Sequence, residues 1–259
     1  MGSVPAPEPV FTGVAVALVT LFGSDGDLDA PASARLAVEL VERGVRAVVV
    51  AGSTGEAATL TPEERVELLD AVRGAVPADV PVVAGTGAPS ARQAVALTRA
   101  AVDHGADAVL TLSPPGSQEL SRYYHEVVEV AGGRPVLAYH YPKVSAPGIP
   151  VDALGALPVA GLKDSSGEAA RLLQELECFG RPLYTGSSAL LSFAGPLGCT
   201  GAILALANVE PERCIAAFEG DVGAQRSLAA AHEQAHAAFP RSLKEMVAAA
   251  SGMSPVTRQ

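Results

Sequence analysis

One local pattern recurs along the chain: an amphipathic stretch runs into a glycine, and the glycine into a short apolar run. Val41-Glu-Arg-Gly-Val-Arg-Ala-Val48 and Val102-Asp-His-Gly-Ala-Asp-Ala-Val109 are close copies, and Leu197-Gly-Cys-Thr-Gly-Ala-Ile203 is a looser third. Glycine at such a point ends a helix, because the left-handed cap conformation carries no Cβ penalty there. The apolar run that follows reads as a strand. Recurrence of a helix, glycine, strand unit is what a repeating βα architecture produces. Strand candidates fall at 14–22, 47–52, 81–85, 108–113, 135–141, 159–163, 182–185 and 201–206. They lack polar alternation, which implies burial on both faces, as in a parallel sheet covered by helices. About eight units favour closure into a (β/α)8 barrel over an open doubly wound sheet.

The length agrees, since 259 residues suit one such barrel of roughly 250 residues. Helix starts are legible too: Thr61-Pro62-Glu63-Glu64 has the form of a capping box with proline at the first helical position. No linker-like shift in composition interrupts the chain. The expected organisation is a loose, proline-containing tail over 1–10, an α/β barrel over 11–220 and a reduced C-terminal helical segment over 221–259. A net charge of −10 opposes binding to nucleic acid or an anionic membrane, whose surfaces would repel the mean field of the protein. Cys178, Cys199 and Cys214 are odd in number and show no CxxC spacing, so neither a disulfide framework nor a thiolate zinc site is indicated. A reducing cytoplasm fits, and no apolar run reaches the length of a membrane span.

In a βα barrel the reactive groups sit at the C-terminal ends of the strands. Three candidate ends are chemically loaded: Gly52-Ser53-Thr54-Gly55-Glu56 after the second strand, Tyr139-His140-Tyr141-Pro142 after the fifth, and Lys163-Asp164-Ser165-Ser166 after the sixth. A lysine pointing into a closed interior either has its charge paired or has its pKa lowered until it is a nucleophilic amine. The second state is that of Schiff-base chemistry. Carbinolamine formation needs a proton donor and acceptor, and a phenol such as Tyr139 on the adjacent strand can be both. The hydroxyls and N–H groups of Ser53 and Thr54, in a glycine-flanked turn, suit the carboxylate of a keto acid. Singly, each has a plain reading: a solvated lysine, an amphipathic core tyrosine, a tight turn. Joint occurrence at three strand ends carries the argument.

These residues resemble the pyruvate-dependent class I aldolases and lyases that include dihydrodipicolinate synthase and N-acetylneuraminate lyase. The likeness runs from about Phe11 to Lys244 and includes FTGVAVALVTLF, GSTGEAATLTPEER, VVAGTGA, YHYP and GLKDSSG. It implies a TIM barrel with a short C-terminal helical extension, Lys163 as the Schiff-base residue for pyruvate or another 2-oxo acid, and Tyr139 as the proton-transfer group. Ser53 and Thr54 would bind the keto-acid carboxylate and Ile203 would line the site near the imine, with Gly52 and Gly186 as further substrate-binding positions. The imine is itself the electron sink, so neither a metal nor an organic cofactor is implied. A small 2-oxo acid is the expected partner, and a homo-oligomer, dimer or tetramer, the expected assembly.

Departures narrow the substrate. Where dihydrodipicolinate synthases carry an arginine for a second carboxylate, the matching position is Val144, with Lys143 as a neighbouring substitute lacking the planar fork. Where the family presents a relay tyrosine after the fourth strand, this chain reads Ser113-Pro-Pro-Gly-Ser117, leaving Tyr123, Tyr124 or Tyr141 as replacements. After Gly186, where sialic-acid lyases place acidic residues, it reads Ser187-Ser188-Ala189. What remains resembles aldolases of short hydroxylated 2-oxo acids, of the 4-hydroxy-2-oxoglutarate or 2-keto-3-deoxygluconate type. The alternatives are a 4-hydroxy-tetrahydrodipicolinate synthase of lysine biosynthesis and a non-catalytic keto-acid-binding member of the family.

Two other motifs compete. His232-Glu233-Gln234-Ala235-His236 matches H-E-x-x-H, which on a helix places two imidazoles on one face for zinc. The extended pattern fails at Phe239 and beyond, so the polar face of a terminal helix is the favoured reading. Gly85-Thr-Gly-Ala-Pro-Ser90 partly matches a dinucleotide fingerprint but lacks the final glycine, and Pro89 at a helix start explains it structurally.

Overall fold

The computed structural model describes residues 7–116 and 119–259; most of the expected N-terminal tail, and Ser117 of the fourth loop, lie outside them. The elements run β1 (Gly13–Ala17), α1 (Ala30–Glu42), β2 (Val48–Val50), α2 (Pro62–Ala75), β3 (Val82–Gly85), α3 (Ala91–Asp103), β4 (Ala108–Leu112), α4 (Leu120–Val130), β5 (Val136–His140), β6 (Gly161–Asp164), α5 (Ala169–Cys178), β7 (Leu183–Thr185), α6 (Leu191–Ala194), β8 (Gly201–Leu204), α7 (Pro211–Phe218), α8 (Val222–Ser227), α9 (Ala229–His236) and α10 (Arg241–Ser251). Each strand pairs in parallel with the next, and β8 pairs with β1, closing a TIM barrel with helices α8 to α10 beyond it. One crossover is irregular: β5 and β6 are joined by a 3₁₀ turn over Val151–Ala156, in a linker where Pro142, Pro147, Gly148 and Pro150 oppose an α-helix.

The recurrent glycines do what their position requires. Gly44, Gly105 and Gly198 have φ of +99°, +82° and +99°. The N–H of the next residue reaches back to a carbonyl of the preceding helix in each copy, Val45 to Leu40, Ala106 to Ala101 and Cys199 to Ala194. The helix end is satisfied and the chain turned into the strand in a single step. Thr61 and Glu64 form the full reciprocal capping box at the start of α2. Before α3 the cap is Ser90, which accepts from Gln93 N–H, so Pro89 stands one residue ahead of the cap rather than at the first helical position.

Strand parity explains why the apolar runs are unbroken. Val14, Val16, Val48, Val50, Val82 and Val109 pack in the layer shared with the helices, while Ala15, Ala17, Val49, Val83, Leu110 and Leu137 fill the barrel interior. Successive residues of a strand point to opposite faces, and both faces here are dry. The N-terminal end is plugged by Phe11 and Tyr184, whose ring centroids lie 4.6 Å apart, with Tyr184 Oη donating to the Phe11 carbonyl at 3.1 Å. Burying each such large side chain contributes about 1.5–3 kcal/mol. With that end filled, the C-terminal ends of the strands hold the open cavity.

Candidate active site

Leu162 packs in the outer layer, so Lys163, next on β6, faces the barrel interior. Its register partner on β5 is Tyr139, and Lys163 Nζ stands 4.3 Å from the centroid of the Tyr139 ring. The two side chains are 4% and 5% exposed. No carboxylate pairs with Lys163 among the described residues. Burial alone pulls it from 10.5 down to about 7, because an ammonium without a counterion loses more hydration than it regains. Near neutral pH a large share of the side chain is therefore a free amine. Tyr139 moves the other way, pushed up to about 12, chiefly by burial, while the Ser165 and Ser53 hydroxyls beside it partly offset the shift. The pair is thus an amine that readily gives up its proton beside a phenol that keeps one.

Around the pair lies a cavity of ≈ 240 Å³. Of the residues predicted from sequence, Lys163, Tyr139, Ser53, Thr54, Gly186 and Ile203 all line it. Gly52 does not: its carbonyl accepts the N–H groups of Gly55 and Ala57 and braces the turn from outside. The backbone N–H groups of Ser53 and Thr54 find no protein acceptor among the described residues, which leaves them to a bound anion. The turn is pinned from behind by Glu56, in the left-handed region at φ +54°. Glu56 accepts Lys244 Nζ at 2.6 Å, Arg258 N–H at 2.8 Å and Gln259 N–H at 3.1 Å. Gly186 serves by what it lacks, since a Cβ there would collide with Ser165 Oγ and come within 3.0 Å of Lys163 Cε.

Of the three replacement tyrosines, two are elsewhere. Tyr123 donates to the Ala88 and Leu112 carbonyls and Tyr124 to that of Thr111, both fixed on α4 outside the barrel. Tyr141 lines the cavity, its ring stacked on Tyr139 at 5.8 Å.

Several lining residues were not selected from the sequence. Ser165 is aimed at the site because Ser166 turns back onto Asp164, its N–H and hydroxyl both 2.8 Å from the carboxylate; the KDSSG motif held that information. His232, His236 and Phe239 enter from α9 and the segment after it; Lys143, which the sequence offered as a substitute for an arginine, enters from the loop after β5. The H-E-x-x-H spacing marked the histidines, but for metal. No group of three His, Cys, Asp or Glu side chains suited to a metal ion occurs among the described residues. No described helix is long and apolar enough to cross a membrane.

Comparison with known proteins agrees with this fold. The sequence model of the Dihydrodipicolinate synthetase family matches residues 10–251. A 4-hydroxy-tetrahydrodipicolinate synthase of Pseudomonas aeruginosa is 36% identical over 233 residues, 85% of this chain and 80% of that one. An uncharacterised DapA-like lyase of Halobacterium salinarum is 36% identical over 227 residues, 83% and 75% of the two chains. Among solved structures, the prophage protein YagE of Escherichia coli K12, of the dihydrodipicolinic acid synthase family and in complex with pyruvate, superposes with a TM-score of 0.88 at 26% identity. That match covers 96% of this chain and 92% of YagE.

Proposed function

The chain belongs to the dihydrodipicolinate synthetase family and is an enzyme, a carbon–carbon lyase of the pyruvate-dependent class I type, and from that premise we propose that it acts on pyruvate or a short hydroxylated 2-oxo acid through an imine at Lys163. The observation that carries this reading is the unpaired, buried Lys163 amine beside the protonated Tyr139 phenol. The Lys163 lone pair attacks the C2 carbonyl, and the carbonyl oxygen takes up protons and leaves as water. Ser53 and Thr54 hold the carboxylate of the keto acid through their free N–H groups. The imine withdraws the electron pair of the breaking C3–C4 bond, or releases it as an enamine for bond formation, while Tyr139 gives and takes the proton of the substrate hydroxyl. Ser53 and Ser165 position that phenol, and Tyr141 stacks against it. Gly52 supports the turn, and Gly186 and Ile203 leave room for the imine.

Borohydride treatment in the presence of pyruvate, followed by peptide mass mapping, tests this. A reduced pyruvyl adduct on the peptide carrying Lys163 is expected; an untouched Lys163 after full exposure to both reagents defeats the reading. A homo-oligomer, dimer or tetramer, and a cytoplasmic location belong to the same proposal, and sedimentation equilibrium reads the first.

A second reading, 4-hydroxy-tetrahydrodipicolinate synthase, is favoured by the name of the P. aeruginosa relative. Against it stands the cavity wall: no arginine lines it, and Val144 is 55% exposed. Turnover of pyruvate with aspartate semialdehyde, faster than with any two- or three-carbon aldehyde, would reverse the order of the two readings.

A further inference from the structure

Behind Lys163 and Tyr139, on the outer face of the same two strands, lies a group of buried polar side chains that the imine chemistry does not use. His140 and Asp164 are register partners on β5 and β6, each next in sequence to Tyr139 or Lys163 and therefore pointing the opposite way. Arg171 and Glu175, one turn apart on α5, close the group from the helix layer. Arg171 Nε lies 2.8 Å from Glu175 Oε1 and 3.9 Å from Asp164 Oδ1. All four side chains are sequestered, Glu175 completely. His140 adds no charge, since burial and the Arg171 guanidinium hold it down at about 4; its Nδ1 accepts the Ile149 N–H at 2.8 Å. Cys199, beside the two acids, is kept a thiol by burial, up at about 12. Glu168, at the start of α5, adds a further negative charge near Asp164.

Two buried carboxylates thus draw on one guanidinium. Asp164 has other support, because the Ser166 N–H and hydroxyl both reach it at 2.8 Å. Glu175 has none. The Arg171 Nε–H is not aimed along their short contact, and neither Glu175 oxygen accepts a hydrogen bond among the described residues. An ionised carboxylate in that position is costly: burial, with the Asp164 charge, raises Glu175 to about 8 in spite of Arg171. At pH 7 Glu175 is therefore largely neutral and Arg171 serves Asp164; once ionised, Glu175 competes for the same guanidinium. Asp164 bears on the chemistry through Ser166, whose fold onto it turns Ser165 towards the Tyr139 phenol.

We infer that Arg171 and Glu175 are positioning residues of the imine site: by dividing one guanidinium between two acids they set how firmly Asp164 holds Ser166, and so where Ser165 presents its hydroxyl to Tyr139. The inference rests on the imine reading above. Neither residue reaches the cavity, so the effect belongs to proton transfer at Tyr139 and not to the binding of the pyruvate carboxylate.

Exchange of the pyruvate methyl protons with D2O, followed by NMR, reads the site without an aldehyde: a proton leaves C3 as the imine becomes the enamine, and a deuteron from solvent returns to C3 in the reverse step. Arg171→Met is expected to lower kcat for exchange about 10–100-fold, the cost of a misplaced catalytic group, with KM for pyruvate within about twofold and Arg171→Lys recovering most of the rate. In a Tyr139→Phe background the same substitution should cost less than about twofold, because it acts through the phenol, whereas a merely structural role would cost the same in both. Glu175→Gln, isosteric and uncharged, gives a test that survives any folding defect of Arg171→Met. The unmodified enzyme should lose kcat as pH rises through about 8, and the variant should hold its plateau. An alkaline decline identical in the two proteins, or an Arg171→Met loss of full size in the Tyr139→Phe background, would overturn the positioning role. Borohydride trapping with pyruvate tells the two failures apart: a Lys163 adduct in an enzyme whose rate ignores Arg171 and Glu175 removes only the positioning role, whereas no adduct removes the imine reading and that role with it.

Discussion

Lys163 and Lys244 are both buried lysines whose Nζ stands over an aromatic ring, 4.3 Å from the centroid of Tyr139 in one case and 4.2 Å from that of Phe22 in the other. Their chemistry diverges because only one has a partner. Lys244 Nζ donates to Glu56 Oε1 and to the Val256 carbonyl, both at 2.6 Å. Burial pulls Lys244 down as well, but the Glu56 hydrogen bond and charge push back. Nothing pushes back at Lys163. The contrast teaches that burial alone does not make a lysine reactive; burial without a counterion does. One lysine ties the C-terminal segment to the Ser53 and Thr54 turn as half of an ion pair, while the other is left poor in protons by burial.

The sharpest way to break the comparison is to delete each amine. Lys163→Met is expected to abolish turnover, on the order of 10⁵-fold or more for loss of a covalent nucleophile, while the protein remains folded by circular dichroism. Retained turnover would mean that another group forms the imine. Tyr139→Phe keeps the ring over which the amine sits and removes the phenolic proton. A loss of about 10²–10⁴-fold in kcat follows if that proton is transferred in the reaction, and near-normal rates would reduce Tyr139 to a packing residue.

Lys244→Met should behave in the opposite sense, costing about 3–5 kcal/mol because the Glu56 carboxylate is left buried and unpaired. Urea denaturation measures it, and a loss below about 1 kcal/mol would show that the pair is not needed. Because Glu56 pins the Ser53 and Thr54 turn, KM for pyruvate in that variant should also rise.

Stability as a function of pH gives a finer test. Lys163 is at about 7 in the folded protein against an ordinary 10.5, so the unfolded chain binds more protons between those values and stability rises with pH through that window. Below about pH 7 the cost is fully present, on the order of a few kcal/mol. Lys163→Met should remove this rise and be the more stable protein at pH 6. An unchanged slope would place the amine in contact with water. Adduct formation with pyruvate should follow the same group, climbing with pH to a plateau above about 7.

The sequence carried the fold because its determinants are local. Glycine caps such as Gly44 and Gly105, the Thr61 capping box and the doubly buried strands each act within a few residues. Lys163, Tyr139 and the Ser53 turn were legible for a related reason, since strand ends in a barrel converge whatever the loops do. Ser165 was harder: its aim depends on Ser166 folding back onto Asp164. The histidines of α9 were harder still. Their spacing was visible, but their place on the cavity wall depends on α9 lying against Ser188 through His232, a contact 44 residues long in sequence. The anchoring of Glu56 by Lys244 and by the backbone of Arg258 spans about 200 residues, and no local pattern announces it.

The pairing of Tyr139 with Lys163 belongs to the hydrogen-bond ladder between β5 and β6, whereas Lys143, His232 and His236 hang on a loop and an appended helix. The strand-end groups and the outer part of the cavity wall are therefore held by mechanically separate parts of one scaffold. Grafting a different segment over 229–240 is expected to reshape the cavity wall while the amine keeps its titration midpoint, which gives protein engineers a place to diversify and a place to leave alone.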